Sequence, residues 1–169
     1  MNMVGIRTAK EVPMTYKEWL AQREKEVNEL PVFYAFNDEQ FAEGMASLGL
    51  TADDTDKIYK LGNTGGFYRR VDAPIIHAFL DKEDELPELM EKEPGFAEEA
   101  FYYEMANHEY HINWQADWDV CSCFGGCEYG EDKGYVQYLT EMGYSEDVIL
   151  AYRKARKSFL READEKGWY

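Results

Sequence analysis

Apolar side chains recur three or four positions apart through most of this chain, and that spacing predicts helices. The pattern covers MTYKEWLAQREKEVNEL near the start and GFAEEAFYYEMANHEYHI in the middle. It returns in two helices near the end, at about 132–142 and 145–166. Gly143 stands between these two helices, where a left-handed cap is expected. The pattern therefore predicts a mainly helical protein.

Capping residues and turns indicate where the other elements begin. Asn37, with Gln40 three residues later, predicts the start of a helix that follows a short buried strand, VFYAF. Asp72 is expected to cap a further helix, which Pro87 kinks or splits. Between them, KIYKLGNTGGFYRR predicts a β-hairpin. A phosphate-binding loop is not expected there, because the glycines precede a predicted strand rather than a helix.

Composition agrees with one folded domain. The chain has 169 residues, of which 45% are hydrophobic, and this is enough to bury a core. The predicted fold class is α+β, as a mainly helical single domain over residues 1–169 with a flexible start at 1–13. A short β-hairpin or sheet and a zinc-stapled loop complete it, the loop being predicted from the cysteines described below.

The charge is strongly negative, at −16 with 34 acidic against 18 basic residues. Direct binding to DNA, RNA or an anionic membrane is not expected, since such partners attract basic surfaces. A basic partner is favoured, although solubility alone would also explain the charge. The sequence has no recognisable signal peptide or membrane-spanning run, so a cytoplasmic protein is expected.

All three cysteines, Cys121, Cys123 and Cys127, lie within the short segment CSCFGGC. If the backbone is extended, Cys121 and Cys123 point to one face, and the two glycines allow the chain to bring Cys127 back towards them. In a cytoplasmic protein such a cluster favours a metal over a disulfide. Three thiolates leave one tetrahedral position of a zinc ion to be filled.

Two histidines in the upstream segment ANHEYHIN are candidates for that fourth position. His111 is preferred because it is closer to the cysteines, and His108 is the alternative ligand. A site with two cysteines and both histidines is also open. The hypothesis is a structural Zn²⁺ ion, and its alternatives are inert buried thiols and a redox centre.

Catalysis is not expected from these residues. Glu104 and Glu109 are candidate general bases beside a zinc ion, but NHEYH lacks the His-Glu-x-x-His arrangement of metalloproteases. The deaminase signature is also missing. His77 is expected to be a packed helix residue, which leaves too few histidines for a Ser-His-Asp or Cys-His constellation.

Acidic and aromatic side chains form the candidate partner-binding set. Helical spacing would align Asp84, Glu88 and Glu91, and such a row imitates the charge of a nucleic-acid backbone. A solvated helix face is the favoured explanation of the row, partly because Pro87 interrupts it, and core packing is the favoured explanation of the tryptophans in the set. The candidate set is Asp81, Asp84, Glu85, Glu88, Glu91, Trp114 and Trp118.

Two stretches, NDEQFAEGMASLGLTADDTDKIYKLGNTGGFYRR and EMANHEYHINWQADWDVCSCFGGCEY, resemble a family of small acidic accessory proteins. These proteins are carried by phages and mobile elements of Gram-positive bacteria, and the resemblance runs from about Phe33 to Tyr144. Proteins from this setting include type II anti-CRISPR inhibitors, which bind Cas9. The resemblance implies stoichiometric inhibition of Cas9, a basic nucleic-acid-binding host protein, in the bacterial cytoplasm.

Two other functions stay open. One is a zinc-dependent hydrolase or nucleotide-modifying enzyme that uses the cysteine and histidine site. The other is a maintenance factor that binds another protein of the same mobile element.

Overall fold

The computed structural model describes residues 14–82, 85–128 and 133–168. These residues form eight α-helices and one three-stranded sheet, which confirms the predicted α+β class with mainly helical content. The elements in chain order are α1 (Tyr16–Asn28), β1 (Val32–Tyr34), α2 (Asp38–Ser47), β2 (Ile58–Leu61), β3 (Gly66–Arg69), α3 (Ala73–Asp81), α4 (Leu86–Lys92), α5 (Pro94–Asn107), α6 (Ala116–Ser122), α7 (Tyr135–Glu141) and α8 (Glu146–Lys166).

The chain divides into two compact units. The helical unit comprises, of the described residues, 14–20 and 86–168. The sheet unit comprises Ala21–Glu85. That the two units form one domain stays a prediction.

The sheet unit contains the predicted hairpin, which forms strands β2 and β3. Strand β3 lies between β1 and β2, and both pairs are antiparallel. Phe33 of β1 stacks on Phe67 of β3 with ring centroids 5.3 Å apart. Phe33, Met45 and Ile58 form the buried centre of this unit. Phe33 and Phe67 both contact Phe41 of helix α2, with ring centroids 5.9 and 5.2 Å away, so one face of the sheet packs against that helix.

The predicted helix caps have different outcomes. The Asn37 side chain accepts a hydrogen bond from the Gln40 backbone N–H at 2.8 Å, which confirms the start of α2. Asp72 precedes α3 as expected but makes no capping hydrogen bond with its side chain. Its carboxylate instead accepts from Arg69 Nε at 2.6 Å, because an ionic partner is available three residues away. Pro87 lies in the first turn of α4, so the helix is split rather than continuous.

The helical unit has its core where helices α5 and α8 pack together. Phe101 of α5 contacts Tyr152 of α8 and Phe124, with ring centroids 4.8 and 4.9 Å apart. Ser145 begins α8, its hydroxyl accepting from the Val148 N–H. Gly143 has a φ of 86°, as expected for the turn before α8. Within the described residues, no helix combines the length and the apolar character needed to cross a bilayer.

Candidate metal centre

Three potential metal ligands from two helices lie together in the helical unit. Glu104 is on α5, His108 follows the last residue of that helix, and Cys123 follows the last residue of α6. Cys123 Sγ is 3.3 Å from His108 Nε2 and 3.7 Å from Glu104 Oε2. His108 Nε2 is 3.6 Å from the same Glu104 oxygen. One sulfur, one nitrogen and one oxygen therefore form a nearly equilateral triangle.

The three atoms of the triangle are close enough together to bind one metal ion. Zinc bonds of about 2.0 to 2.3 Å place neighbouring tetrahedral ligand atoms roughly 3.3 to 3.6 Å apart. The three measured separations, 3.3, 3.6 and 3.7 Å, lie at or next to that range. These described residues are therefore a group that can hold a metal ion, with one coordination position left over.

The end of helix α5 sets the position of the first two ligands. Glu104 and His108 are four residues apart, so one helical turn brings their side chains to the same side. The helix stops at His108, and the next residue, Glu109, has a φ of 49°. That left-handed residue turns the chain away before His111. The two histidines are therefore not neighbours on one helix.

Glu104 is a buried carboxylate with fixed partners. It is 6% exposed, and its Oε1 accepts a hydrogen bond from the Tyr16 hydroxyl at 2.8 Å. Its Oε2, the oxygen of the triangle, accepts from Asn107 Nδ2 at 3.0 Å. Burial and the hydrogen bond to Glu104 raise the pKa of Tyr16, which keeps the phenol protonated as the donor. Partners of this kind orient ligands in metal sites.

Cys123 is a thiol that carries its proton in the absence of a cation. Burial, together with the neighbouring negative charge of Glu104, raises the pKa of Cys123 to about 12. A metal ion at the triangle would reverse this effect, because it binds the thiolate and neutralises the local charge. Without a metal, the raised pKa makes the thiol a poor nucleophile.

The other two cysteines are not part of the triangle. The extended backbone that would bring Cys121 and Cys123 to one face is not formed, because Ala116–Ser122 is helical. On a helix, residues two apart point to nearly opposite sides. Cys121 is accordingly 0% exposed in the core, and Cys127 Sγ lies 4.0 Å from the Trp118 carbonyl oxygen. Burial raises the pKa of both thiols.

His111, the preferred fourth ligand, is placed elsewhere. Its ring packs against Phe159 and Trp168, with centroids 6.0 and 5.7 Å away. The alternative ligand His108 is the one beside Cys123. Glu104 was predicted as a candidate base rather than a ligand, although its spacing of four from His108 on a predicted helix indicates that both can bind one ion.

The acidic candidates for partner binding are distributed over both units. Asp84 lies outside the described residues, whereas Asp81 and Glu85 are exposed residues of the sheet unit. In the helical unit, Glu88 is exposed and pairs with Lys92 at 2.9 Å. Glu91 accepts a hydrogen bond from the backbone N–H of Ser145 at 2.8 Å, so one of its carboxylate oxygens is bound to the residue that caps α8.

The two candidate tryptophans differ in exposure. Trp114 is 86% exposed, in the loop between α5 and α6. Trp118 is half-buried on α6 and packs against the core of the helical unit. Of the two, Trp114 is therefore the side chain that a partner can reach.

One family model matches this chain, over residues 15–131, and its description is "Family of unknown function (DUF7659)". The matched range contains all three residues of the triangle and the residues that hold Glu104. No curated protein and no solved structure matches the chain.

Proposed function

We propose that this chain, which belongs to the family of unknown function DUF7659, is a binding protein with a structural zinc ion between helices α5 and α6. The observation that carries the proposal is the triangle formed by Glu104 Oε2, His108 Nε2 and Cys123 Sγ, with sides of 3.6, 3.3 and 3.7 Å. A water molecule or a group from a partner supplies the fourth position.

The chemistry of the ligands supports zinc over calcium or magnesium. Calcium and magnesium take oxygen ligands, whereas a thiolate and an imidazole suit a borderline-soft transition metal. The three side chains also include a carboxylate that is 6% exposed. A divalent cation would balance the charge of Glu104 and of a Cys123 thiolate. Zinc would thus replace the proton that Cys123 holds without it.

The position of the triangle supports a structural role. Its ligands flank the loop 109–115 together with helix α6, because His108 closes α5 before the loop and Cys123 closes α6 after it. Asn113 of this loop donates hydrogen bonds to the His108 carbonyl and to Asp119 at 3.1 and 2.5 Å. A metal bond between the helix ends would restrict the loop further. Ile112 and Trp114 would then be held at the surface, 61% and 86% exposed.

Metal analysis tests the zinc site. Protein purified without chelator is expected to contain about one zinc per chain. Replacement by Co²⁺ is expected to give the intense visible absorption of tetrahedral cobalt and a near-ultraviolet thiolate band. Cys123→Ser should remove that band and most of the metal. Cys127→Ser is the matched control, because it removes a half-buried thiol of the same segment that lies outside the triangle.

The outcome of that comparison separates the two cysteine assignments. Equal metal loss in Cys123→Ser and Cys127→Ser would favour the site of three cysteines predicted from the sequence. Zinc well below one per chain, together with no cobalt spectrum in the unaltered protein, would refute a metal site of either kind.

The partner that we propose is a basic nucleic-acid-binding protein, with Cas9 as the first to be tested. The net charge of −16 supports a basic partner, because opposite charge accelerates encounter. Trp114 supplies an exposed aromatic side chain of the type that dominates binding energy at interfaces. We expect a stoichiometric complex that weakens as salt rises and that Trp114→Ala weakens by about tenfold or more. Normal DNA cleavage by type II effectors at excess protein would count against Cas9.

An enzyme is the second candidate, because three protein ligands and one remaining position are typical of catalytic zinc. A zinc-dependent hydrolase or nucleotide-modifying enzyme would use a zinc-bound water there. Turnover of a substrate by substoichiometric protein, lost in Glu104→Gln together with the metal, would favour this candidate over the binding protein.

A further inference from the structure

A basic cleft lies in the sheet unit of this acidic protein. It has a volume of about 560 Å³, within the range of ligand sites, and it is formed by strands β2 and β3 and helix α3. The side chains that matter for binding are Tyr59, Lys60, Tyr68, Arg70 and His77. His77 was expected to be packed, but it is exposed. No residue of the metal triangle belongs to this unit.

The cleft contains the cations that the neighbouring carboxylates do not neutralise. The segment 57–80 has four Lys and Arg residues against one acidic residue. Lys57 and Arg69 each form an ion pair with a nearby aspartate. Lys60 and Arg70, which line the cleft, have no carboxylate partner within the part of the chain that the structure describes. Their charge is available to an anionic ligand.

An aromatic surface stands beside these charges. The Arg70 guanidinium lies over the Tyr59 ring, 4.7 Å from its centroid, and Arg70 Nε donates to the Ile58 carbonyl at 3.3 Å. This backbone bond holds the guanidinium in place, while its terminal nitrogens have no acceptor among residues 14–82, 85–128 and 133–168. Flat rings of nucleic-acid bases stack on tyrosine and arginine planes of this kind.

A second tyrosine also lines the cleft. Tyr68 is 7% exposed, and its ring lies 5.8 Å from that of Tyr59. Its hydroxyl has no hydrogen-bond partner within the described residues. This hydroxyl can therefore donate to a ligand in the cleft.

We propose that this cleft binds a nucleotide, with its phosphate on Lys60 and Arg70 and its base against the Tyr59 ring. Lysine and arginine supply the charge-assisted bonds that phosphate oxygens accept. The negative charge of the whole chain, −16, repels a long polyanion but not one phosphate in a local cluster of cations. A free nucleotide is therefore favoured over a strand.

Calorimetric titration with AMP tests this site, with inorganic phosphate and adenosine as partial ligands. AMP should bind more tightly than either, because it alone contacts both the cations and the ring. Lys60→Gln and Arg70→Gln should each weaken AMP about tenfold, since each removes charge-assisted bonds. Tyr59→Leu should weaken AMP about tenfold but leave phosphate unchanged. Lys157→Gln, at an exposed lysine of the helical unit, is the matched control and should change nothing.

The outcomes separate the site from its alternatives. No binding of AMP at millimolar concentration would overturn the proposal, and so would AMP binding in Lys60→Gln and Arg70→Gln that is as tight as in the unaltered protein. Phosphate that binds as tightly as AMP would also overturn it. A short oligothymidylate that binds more tightly than AMP, with the same dependence on Lys60, would support the site and identify its nucleotide as part of a strand.

Discussion

The hydroxyl of Tyr16 offers a test of whether Glu104 is a metal ligand. Tyr16→Phe removes one hydrogen bond, of 2.8 Å, to a carboxylate that is 6% exposed. A hydrogen bond to a charged group contributes about 1.5 to 3 kcal/mol. We therefore expect Tyr16→Phe to lower the free energy of unfolding by that amount in the presence of EDTA. Asn107 still donates to the other oxygen, so Glu104 does not lose every partner.

Zinc should increase the cost of the same substitution. A group that holds a metal ligand typically changes metal affinity by about 10–100-fold. A tenfold loss corresponds to about 1.4 kcal/mol of the stabilisation that saturating zinc gives. With saturating zinc, Tyr16→Phe is therefore expected to lower the free energy of unfolding by about 3 to 4.4 kcal/mol. Urea unfolding followed by circular dichroism, with and without zinc, measures both values.

Tyr103→Phe is the matched control for Tyr16→Phe. Tyr103 is 37% exposed and contacts the Tyr16 ring, but its hydroxyl has no hydrogen-bond partner among the described residues. Its loss should change stability by less than about 0.5 kcal/mol. If Tyr16→Phe lowers the free energy of unfolding by the same amount with EDTA and with zinc, then Glu104 does not bind the metal and the triangle has another cause.

Three further predictions concern other features of the molecule. The apparent zinc affinity should fall about tenfold for each pH unit of acidification, because the pKa of Cys123 is raised and zinc must displace the thiol proton. Competition with a chelator dye measures this affinity, and a pH-independent affinity would exclude a thiol ligand. Gly44→Ala should destabilise the protein by about 1 to 3 kcal/mol in urea unfolding, since the new Cβ would stand 2.0 Å from the Phe33 ring. Gly95 also lies in a helix but has open space around it, so Gly95→Ala should not destabilise the protein. Trp114→Ala should leave the melting temperature almost unchanged, because the side chain is 86% exposed and so contributes little to folding. A large loss of stability would show that Trp114 belongs to the core.

Local signals predicted most of the secondary structure. The helix after Asn37 and the helix after Ser145 begin with side-chain caps, which depend only on residues three positions apart. The hairpin was recognisable because its turn requires glycine at Gly65, where φ is 79°. Asp72 failed as a cap because a stronger local partner, Arg69, competes for its carboxylate. Each of these features depends on side chains only a few residues apart, and the competing side chains can also be found in the nearby sequence.

The metal triangle depends on contacts that are distant in sequence. The hydrogen bond from Tyr16 to Glu104 joins residues 88 positions apart, and no local sequence pattern predicts such a partner. Cys123 and Glu104 are 19 positions apart and meet only because α5 and α6 pack together. Sequence spacing could relate Glu104 to His108, but it could not say which cysteine would join them.

The short spacing of Cys121 and Cys123 shows why the identity of the ligand depends on the backbone. In a strand both thiols would face one metal, whereas in a helix they point to nearly opposite sides. The segment ADWDVCS forms a helix because its alanine and valine pack into the core, both being at most 7% exposed. The same rotation that buries Val120 and Cys121 directs Cys123 to the site beside His108. Packing of the apolar residues thus places Cys123, rather than Cys121, beside His108. Cys121→Ala should therefore reduce stability by core loss while leaving the cobalt thiolate band in place.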